Sequence, residues 1–216
     1  MKTLLLLFNA PLQAWGAPAK FDYRETEREV TKSGMVGVLA AALGRRRSEP
    51  IMDLAKLKFG VRVLREGHVF YDFQMITNPD RATDNTLKYS YYLADAVFLT
   101  AINGEDIFIF KLAEAVRKPY FPLYCGRRSC PVTPELYVGV SELSVEEALK
   151  SYQPVMNNDT IQRYIVDVGV NDKDAVLSRD LPVTFNRTYR QYQYRNKKEY
   201  MDQTIHQEEH DAFAAV

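Results

Sequence analysis

The order of patterned segments in the first 131 residues predicts an α+β fold. Three observations carry this. Thr3–Asn9 is a continuous apolar run of strand length, as a buried strand requires. Thr31–Arg47 and Glu105–Lys118 both read as helices with polar chemistry at their ends. Phe59–Leu64, Leu93–Ile102 and Tyr120–Cys125 read as further strands. Leaving one insertion aside, the order is strand, helix, strand, strand, helix, strand. That is the βαββαβ pattern of ferredoxin-like domains, the architecture of RNA-recognition motifs. The aromatic signatures of those motifs are missing, and the fold hosts many functions.

Taken in order, the first strand leads into Ala10–Gly16, a loop carrying the only tryptophan, Trp15. The charged stretch Phe21–Val30 then enters the helix on which the chain is organised. Thr31 or Ser33 supplies its N-cap. Met35–Leu43 is apolar on nearly every side, and Gly34, Gly37, Ala41 and Gly44 give it a smooth stripe. Gly44 is a stop in the left-handed conformation. Lys32 beside a helix N-terminus suits a phosphate, because free amides and the helix dipole both favour negative charge there. It is not a P-loop, since Thr31 stands where that motif needs glycine.

Phe59–Leu64 and Val69–Ile76, joined by the Arg65–His68 turn, predict a hairpin. Thr77–Tyr91, opened by Asn78-Pro79-Asp80, predicts a flexible loop or protruding hairpin. Glu105-Asp106 begin a helix with apolar Ile109, Leu112, Ala113 and Val116, and Pro119 closes it. Residues 132–216 predict a small, mainly β extension. It contains a strand over Leu136–Val140, a short helix over Ser144–Tyr152, a strand over Arg163–Val168 and a polar helical or frayed tail from Asn196. Within it, Pro182–Arg195 reads as an extended chain with Phe185, Arg187 and Tyr189 on one face and Arg190, Tyr192 and Tyr194 on or near the other. Interleaved basic and aromatic residues suit a phosphate backbone and unstacked bases; the same pattern also describes a tyrosine-rich edge with solvated charge.

The 216 residues suffice for a real core, and 46% hydrophobic with 26% charged residues is ordinary globular composition. Net charge is zero, so a nucleic-acid site must come from local segregation of charge. Arg45–Arg47, Arg127-Arg128 and the five basic residues between Pro182 and Lys198, where no acid occurs, provide it. Cys125 and Cys130 predict reduced, partly buried thiols rather than a disulfide framework or zinc site. The apolar N-terminal run is too short for a secretory leader, and no run approaches membrane-spanning length. A cytoplasmic protein without membrane contact is expected.

Five motifs occur in sequence: Leu12-Gln13-Ala14-Trp15-Gly16; Thr31-Lys32-Ser33-Gly34 with Gly37–Gly44; Phe59-Gly60-Val61-Arg62-Val63; Tyr92–Phe98; and Gly126-Arg127-Arg128-Ser129-Cys130-Pro131. Together they resemble the subtype I-E branch of the fifth CRISPR-associated (Cas) protein family, whose members are subunits of the Cascade surveillance complex. The resemblance covers residues 1–131 and, more loosely, Arg179–Arg195. It implies a ferredoxin-like domain with a thumb, here Thr77–Tyr91 with Lys88 and Tyr89. It also implies a non-catalytic role in antiviral defence: binding the 5′ handle of the guide RNA (crRNA), capping the filament of backbone subunits, contacting the large subunit and meeting target DNA indirectly. The handle cradle would involve the Gln13–Trp15 loop, Lys32, Ser33 and the Gly126–Ser129 loop. Lys32 and Ser33 are assigned to phosphate, and Arg127 and Arg128 to phosphate or base. Trp15 is either a stacking platform or a core residue. Arg45, Arg46 and Arg47 face RNA, a neighbouring subunit or solvent. Arg187 and Arg190 complete the candidate set. Catalytic residues, metal and cofactor are all expected to be absent.

The rival reading is a metal-independent endoribonuclease processing repeat RNA, as the subtype I-C branch does. It needs a base for the 2′-OH, an acid for the leaving oxygen and a cation for the phosphorane. The chain offers His68, His206 and His210. His68 falls in a predicted turn. His206-Gln207-Glu208-Glu209-His210 has zinc-peptidase spacing but lies in a polar tail with no packed helix to fix its ligands. A small-molecule enzyme or regulator on the same fold is permitted but has no recognisable site.

Overall fold

The unbroken apolar character of the N-terminal run is explained by the cores on both sides of it. In the computed structural model, which describes residues 1–16, 23–78, 81–154 and 161–203, Lys2–Phe8 is strand β1. Leu4, Leu6 and Phe8 enter the larger hydrophobic core, whereas Leu5 enters a smaller one on the opposite face. The chain continues through short strands β2 (Leu12–Gln13), β3 (Trp15–Gly16), β4 (Tyr23–Arg24) and β5 (Thr26–Glu27) to helix α1 (Lys32–Ala42) and the one-turn α2 (Met52–Ala55). It then forms β6 (Lys58–Arg65), β7 (His68–Asn78), β8 (Arg81–Ala94), β9 (Val97–Gly104) and α3 (Asp106–Arg117). Last come β10 (Tyr137–Ser141), α4 (Val145–Ser151), β11 (Ile161–Asp167), β12 (Val176–Thr184) and β13 (Gln191–Gln203).

Seven strands form one antiparallel sheet in the order β10-β1-β9-β6-β11-β13-β12. Helices α1 and α3 pack with β1, β6 and β9 in the larger core, and α4 covers the other face through Val145, Ala148 and Leu149. The architecture is therefore mixed α/β with mostly antiparallel sheets. α1 begins where Thr31 accepts a hydrogen bond from the Gly34 amide (3.1 Å), so Thr31, not Ser33, is the cap. Gly44 follows the helix with φ of 77°, as its stop position requires. α4 opens on a capping box between Ser144 and Glu147. Its other end is held by the fully buried Arg62, which donates to the carbonyls of Leu149 (2.7 Å) and Tyr152 (2.8 Å), a suitable place for a cation.

Several expectations are corrected. Phe59–Leu64 and Val69–Ile76 do not form a hairpin: β6 pairs with β9 and β11, and β7 pairs with β8. β6 is buried at six successive positions, so it needs strands on both edges and layers on both faces. β7 is largely exposed. The protrusion is consequently longer than Thr77–Tyr91: it is the whole β7–β8 hairpin, in register from His68↔Ala94 to Thr77↔Asn85. Tyr120–Cys125 is not a strand and makes only an isolated bridge, Tyr124↔Pro131. The strand following α3 is β10, which pairs with β1.

The boundary drawn at residue 131 also dissolves, because β10 to β13 complete the same sheet as β1. Pro182–Arg195 is not one extended chain, since β12 ends at Thr184 and β13 starts at Gln191. The segment after Asn196 continues β13 to Gln203, with no helix there; His206 and His210 lie outside the described residues. Among the described residues no helix is long and apolar enough to cross a membrane.

Candidate nucleic-acid interface

The polar entrance of α1, expected to receive a phosphate, is filled by the protein's own carboxylates. The Lys32 amide donates to Asp180 (2.8 Å), and the Lys32 ammonium pairs with Asp167 (2.6 Å). Arg195 closes the cluster by bonding Asp180 (2.6 and 2.9 Å) and Asp167 (2.5 Å). Two cations and Asp180 are thus buried together, with Asp167 partly buried beside them. Burial alone would raise the Asp180 carboxyl, but the Arg195 guanidinium and the Lys32 amide hold it below the usual carboxylate range. Lys32 is a structural lysine here, which corrects its assignment to phosphate.

Gln13 and Trp15 are likewise framework residues. Both are fully buried; Gln13 donates to the Ala96 carbonyl (2.7 Å) and accepts from the Trp15 indole (3.1 Å). Trp15 packs edge-on against Phe8, which decides its open assignment for the core. Gly34 lies flat against it: a Cβ there would stand 2.7 Å from the indole. Gly34→Ala is expected to lower stability by about 1–3 kcal/mol, through overpacking at a site that cannot yield. Thermal denaturation followed by emission of the single tryptophan would report it.

Beside this framework the other candidates converge. A cleft of about 990 Å³ is floored by Ser33, Gly34, Gly37, Val38 and Ala41 of α1. Its walls include three loops, residues 45–48 after α1, residues 121–128, and residues 185–190 between β12 and β13, together with residues 14–16, Arg24 and Glu25. Eight arginines line it (24, 45, 46, 47, 127, 128, 187 and 190) against one acid, Glu25. The zero net charge of the chain conceals this separation, which makes the cleft strongly positive.

The loops are held in place locally. Gly126 has φ of 86°, and a Cβ on it would stand 1.7 Å from the Ala14 carbonyl oxygen, so only glycine lets these loops touch. Arg127 donates to the carbonyls of Tyr91 (3.0 Å), Arg24 (2.6 Å) and Glu25 (3.1 Å) and stacks on Tyr92. It therefore ties the hairpin base to the loop. Arg45 is engaged by Asp53 and the Pro50 carbonyl. Arg46, Arg47, Arg128, Arg187 and Arg190 are exposed. Arg47 is pushed below the usual guanidinium range by desolvation and by the charges of Arg190, Arg187 and Arg128. Cys125 and Cys130 are free and buried, more deeply than expected. Burial, with Cys130 nearby, pushes the Cys125 thiol up to about 12, which makes it unreactive.

Lys88, Tyr89 and Ser129 do not line the cleft. Lys88 and Tyr89 sit on the hairpin, with Tyr89 beside Phe73, and Ser129 is exposed near Tyr92. His68 is exposed at the start of β7 and is also not among the cleft residues. Phe121, Tyr124 and Arg24 were not expected in the cleft. Their only sequence signal is proximity to Arg127 and to the charged stretch before α1.

Comparison with known proteins places the chain among relatives of the same fold. A structure described as "Crystal structure of Cas protein" superposes with a TM-score of 0.74 at 34% identity, covering 92% of this chain and 94% of its own. A chain of a "CRISPR RNA-guided surveillance complex" superposes with a TM-score of 0.77 at 26% identity, covering 93% and 90%. The Escherichia coli (strain K12) protein described as "CRISPR system Cascade subunit CasD" is 32% identical, with 70% of this chain and 77% of that protein aligned. The profile of the CRISPR-associated protein family Cas_Cas5 matches residues 3–197, and by that match the chain belongs to the Cas5 family.

Proposed function

We propose that this chain is a non-catalytic subunit of a Cascade surveillance complex that holds the 5′ handle of the guide RNA in the arginine-lined cleft and caps the backbone filament. We read β10, β1, β9 and β6 with α1 and α3 as its ferredoxin-like unit, working in the cytoplasm. The observation that carries the reading is the eight-to-one excess of arginine over acid in one cleft. Guanidinium groups match phosphate geometry bidentately and stack on bases, and Phe121, Tyr124, Phe185 and Tyr192 in the same cleft offer faces to unstacked bases. The exposed Phe70, Tyr71, Phe73 and Met75 of the β7–β8 hairpin supply a contact surface for neighbouring subunits.

Cleavage of RNA needs a base positioned on the 2′-OH. The cleft contributes cations but no histidine, and Glu25 is its one carboxylate. The binding role is therefore the better supported. Co-expressed with a CRISPR locus, the protein should co-purify with a short RNA of fixed 5′ end. Incubated alone with repeat RNA in EDTA, it should leave that RNA intact; a discrete product lost in His68→Ala would establish the nuclease instead.

A further inference from the structure

Gly37 is a glycine that the fold does not require. It lies inside α1, where glycine is less stable than alanine, and a Cβ built on it meets nothing within 4 Å. Gly34, one turn earlier, is glycine because Trp15 lies against it. Gly37 instead opens into the cleft. There, Arg47, Arg128, Arg187 and Arg190 converge from three separate segments, the last three closely enough for their charges to act on Arg47. Among the described residues none of these four guanidiniums is held in an ion pair. Four like charges around one cleft destabilise the free protein and favour a ligand with several closely spaced anionic groups.

Resting on the reading of the cleft as an RNA groove, we infer that the strand crosses α1 at Gly37 with its sugar–phosphate backbone against the bare helix, its adjacent phosphates clasped by Arg47, Arg128, Arg187 and Arg190. A missing side chain lets the strand approach the helix closely enough for guanidiniums from both walls to reach phosphates. Contacts of this kind set the position of the strand and carry no base preference. Gly37 is thus a positioning residue, and its role is readable as opposite effects on stability and on binding.

The test uses the full chain, a labelled short single-stranded RNA and paired melting and binding curves. Gly37→Ala should raise the melting temperature by about a few degrees, as a helix-interior glycine replaced without a clash does. Gly37→Leu should keep the fold and weaken RNA binding at least about tenfold, the equivalent of one charge-assisted hydrogen bond to phosphate. Gly139→Leu, at a similarly open glycine on β10 away from the cleft, should bind as the wild type does. If Gly37→Leu binds normally while Arg128→Glu with Arg190→Glu does not, the crossing point is wrong and the RNA groove stands. If all variants bind normally, the groove itself is wrong. A lower melting temperature in Gly37→Ala would make the glycine structural and overturn its assignment to the ligand.

Discussion

Asp180→Ala should lower the melting temperature by about 10 °C. The substitution removes the buried anion from a set of two cations and two anions, leaving the buried Arg195 and Lys32 to share the partly buried Asp167. It also strips the Lys32 amide of its acceptor at the first turn of α1. Breaking a buried pair by removing one partner costs roughly 3–5 kcal/mol, and a domain of this size loses about 2–4 °C for each kilocalorie. Asp180→Asn keeps an acceptor for the amide but not the charge, so it should fall between the wild type and Asp180→Ala.

The pH profile gives a second readout. The Asp180 carboxyl titrates lower in the folded than in the unfolded chain, so the unfolded state takes up more protons as the medium is acidified. The stability that Asp180 supplies is complete above about pH 4 and declines below it. Glu29, whose burial is outweighed by Lys197 and Arg163, shifts in the same direction. Asp180→Ala should therefore show a shallower acid limb than the wild type in urea titrations between neutral pH and about pH 3. Parallel acid limbs would mean that ionisation of Asp180 adds nothing to stability.

The largest effect on binding is expected from Arg128→Glu combined with Arg190→Glu. Both side chains are exposed and neither is part of the framework, so the fold should change little. In the cleft each reversal removes a charge-assisted interaction and adds a repulsive one. Affinity for single-stranded RNA should fall at least about a hundredfold. The salt dependence should flatten by about 0.7 in slope for each phosphate that the protein no longer neutralises. Arg127→Glu is the contrasting case. Its guanidinium holds three backbone carbonyls and the Tyr92 ring, so its loss should disturb the hairpin base as well as the cleft. Retained affinity in the Arg128→Glu/Arg190→Glu protein, measured by titration at two salt concentrations, would remove the cleft from consideration.

Legible in the sequence was whatever depends on neighbours in the chain. The cap at Thr31, one of the two residues offered for it, the stop at Gly44, the short helix over Ser144–Tyr152 and the buried first strand are local patterns, and each is present. The hairpin expected between Phe59 and Ile76 failed because an apolar run does not name its pairing partner. Both edges of β6 are claimed by distant strands, β9 and β11. Arg187 and Arg190 stand out in the sequence as basic residues, but their place in a loop rather than a strand depends on where β12 and β13 find register.

The amino-acid order by itself determined β1, the three helices α1, α3 and α4, the buried character of α1 and the segregation of arginine into three segments. Only the tertiary structure decided which of those cations are free to bind. Asp180, 148 residues beyond Lys32, reaches the entrance of α1 because β12 joins the far edge of the sheet, and its carboxylate takes the position a phosphate would have used. The same folding brings residues 45–48, 124–128 and 185–190 around Gly37. Charge neutralisation in a buried setting requires partners at van der Waals distance, and the meeting of segments so far apart is set by the sheet, not by the local pattern of residues.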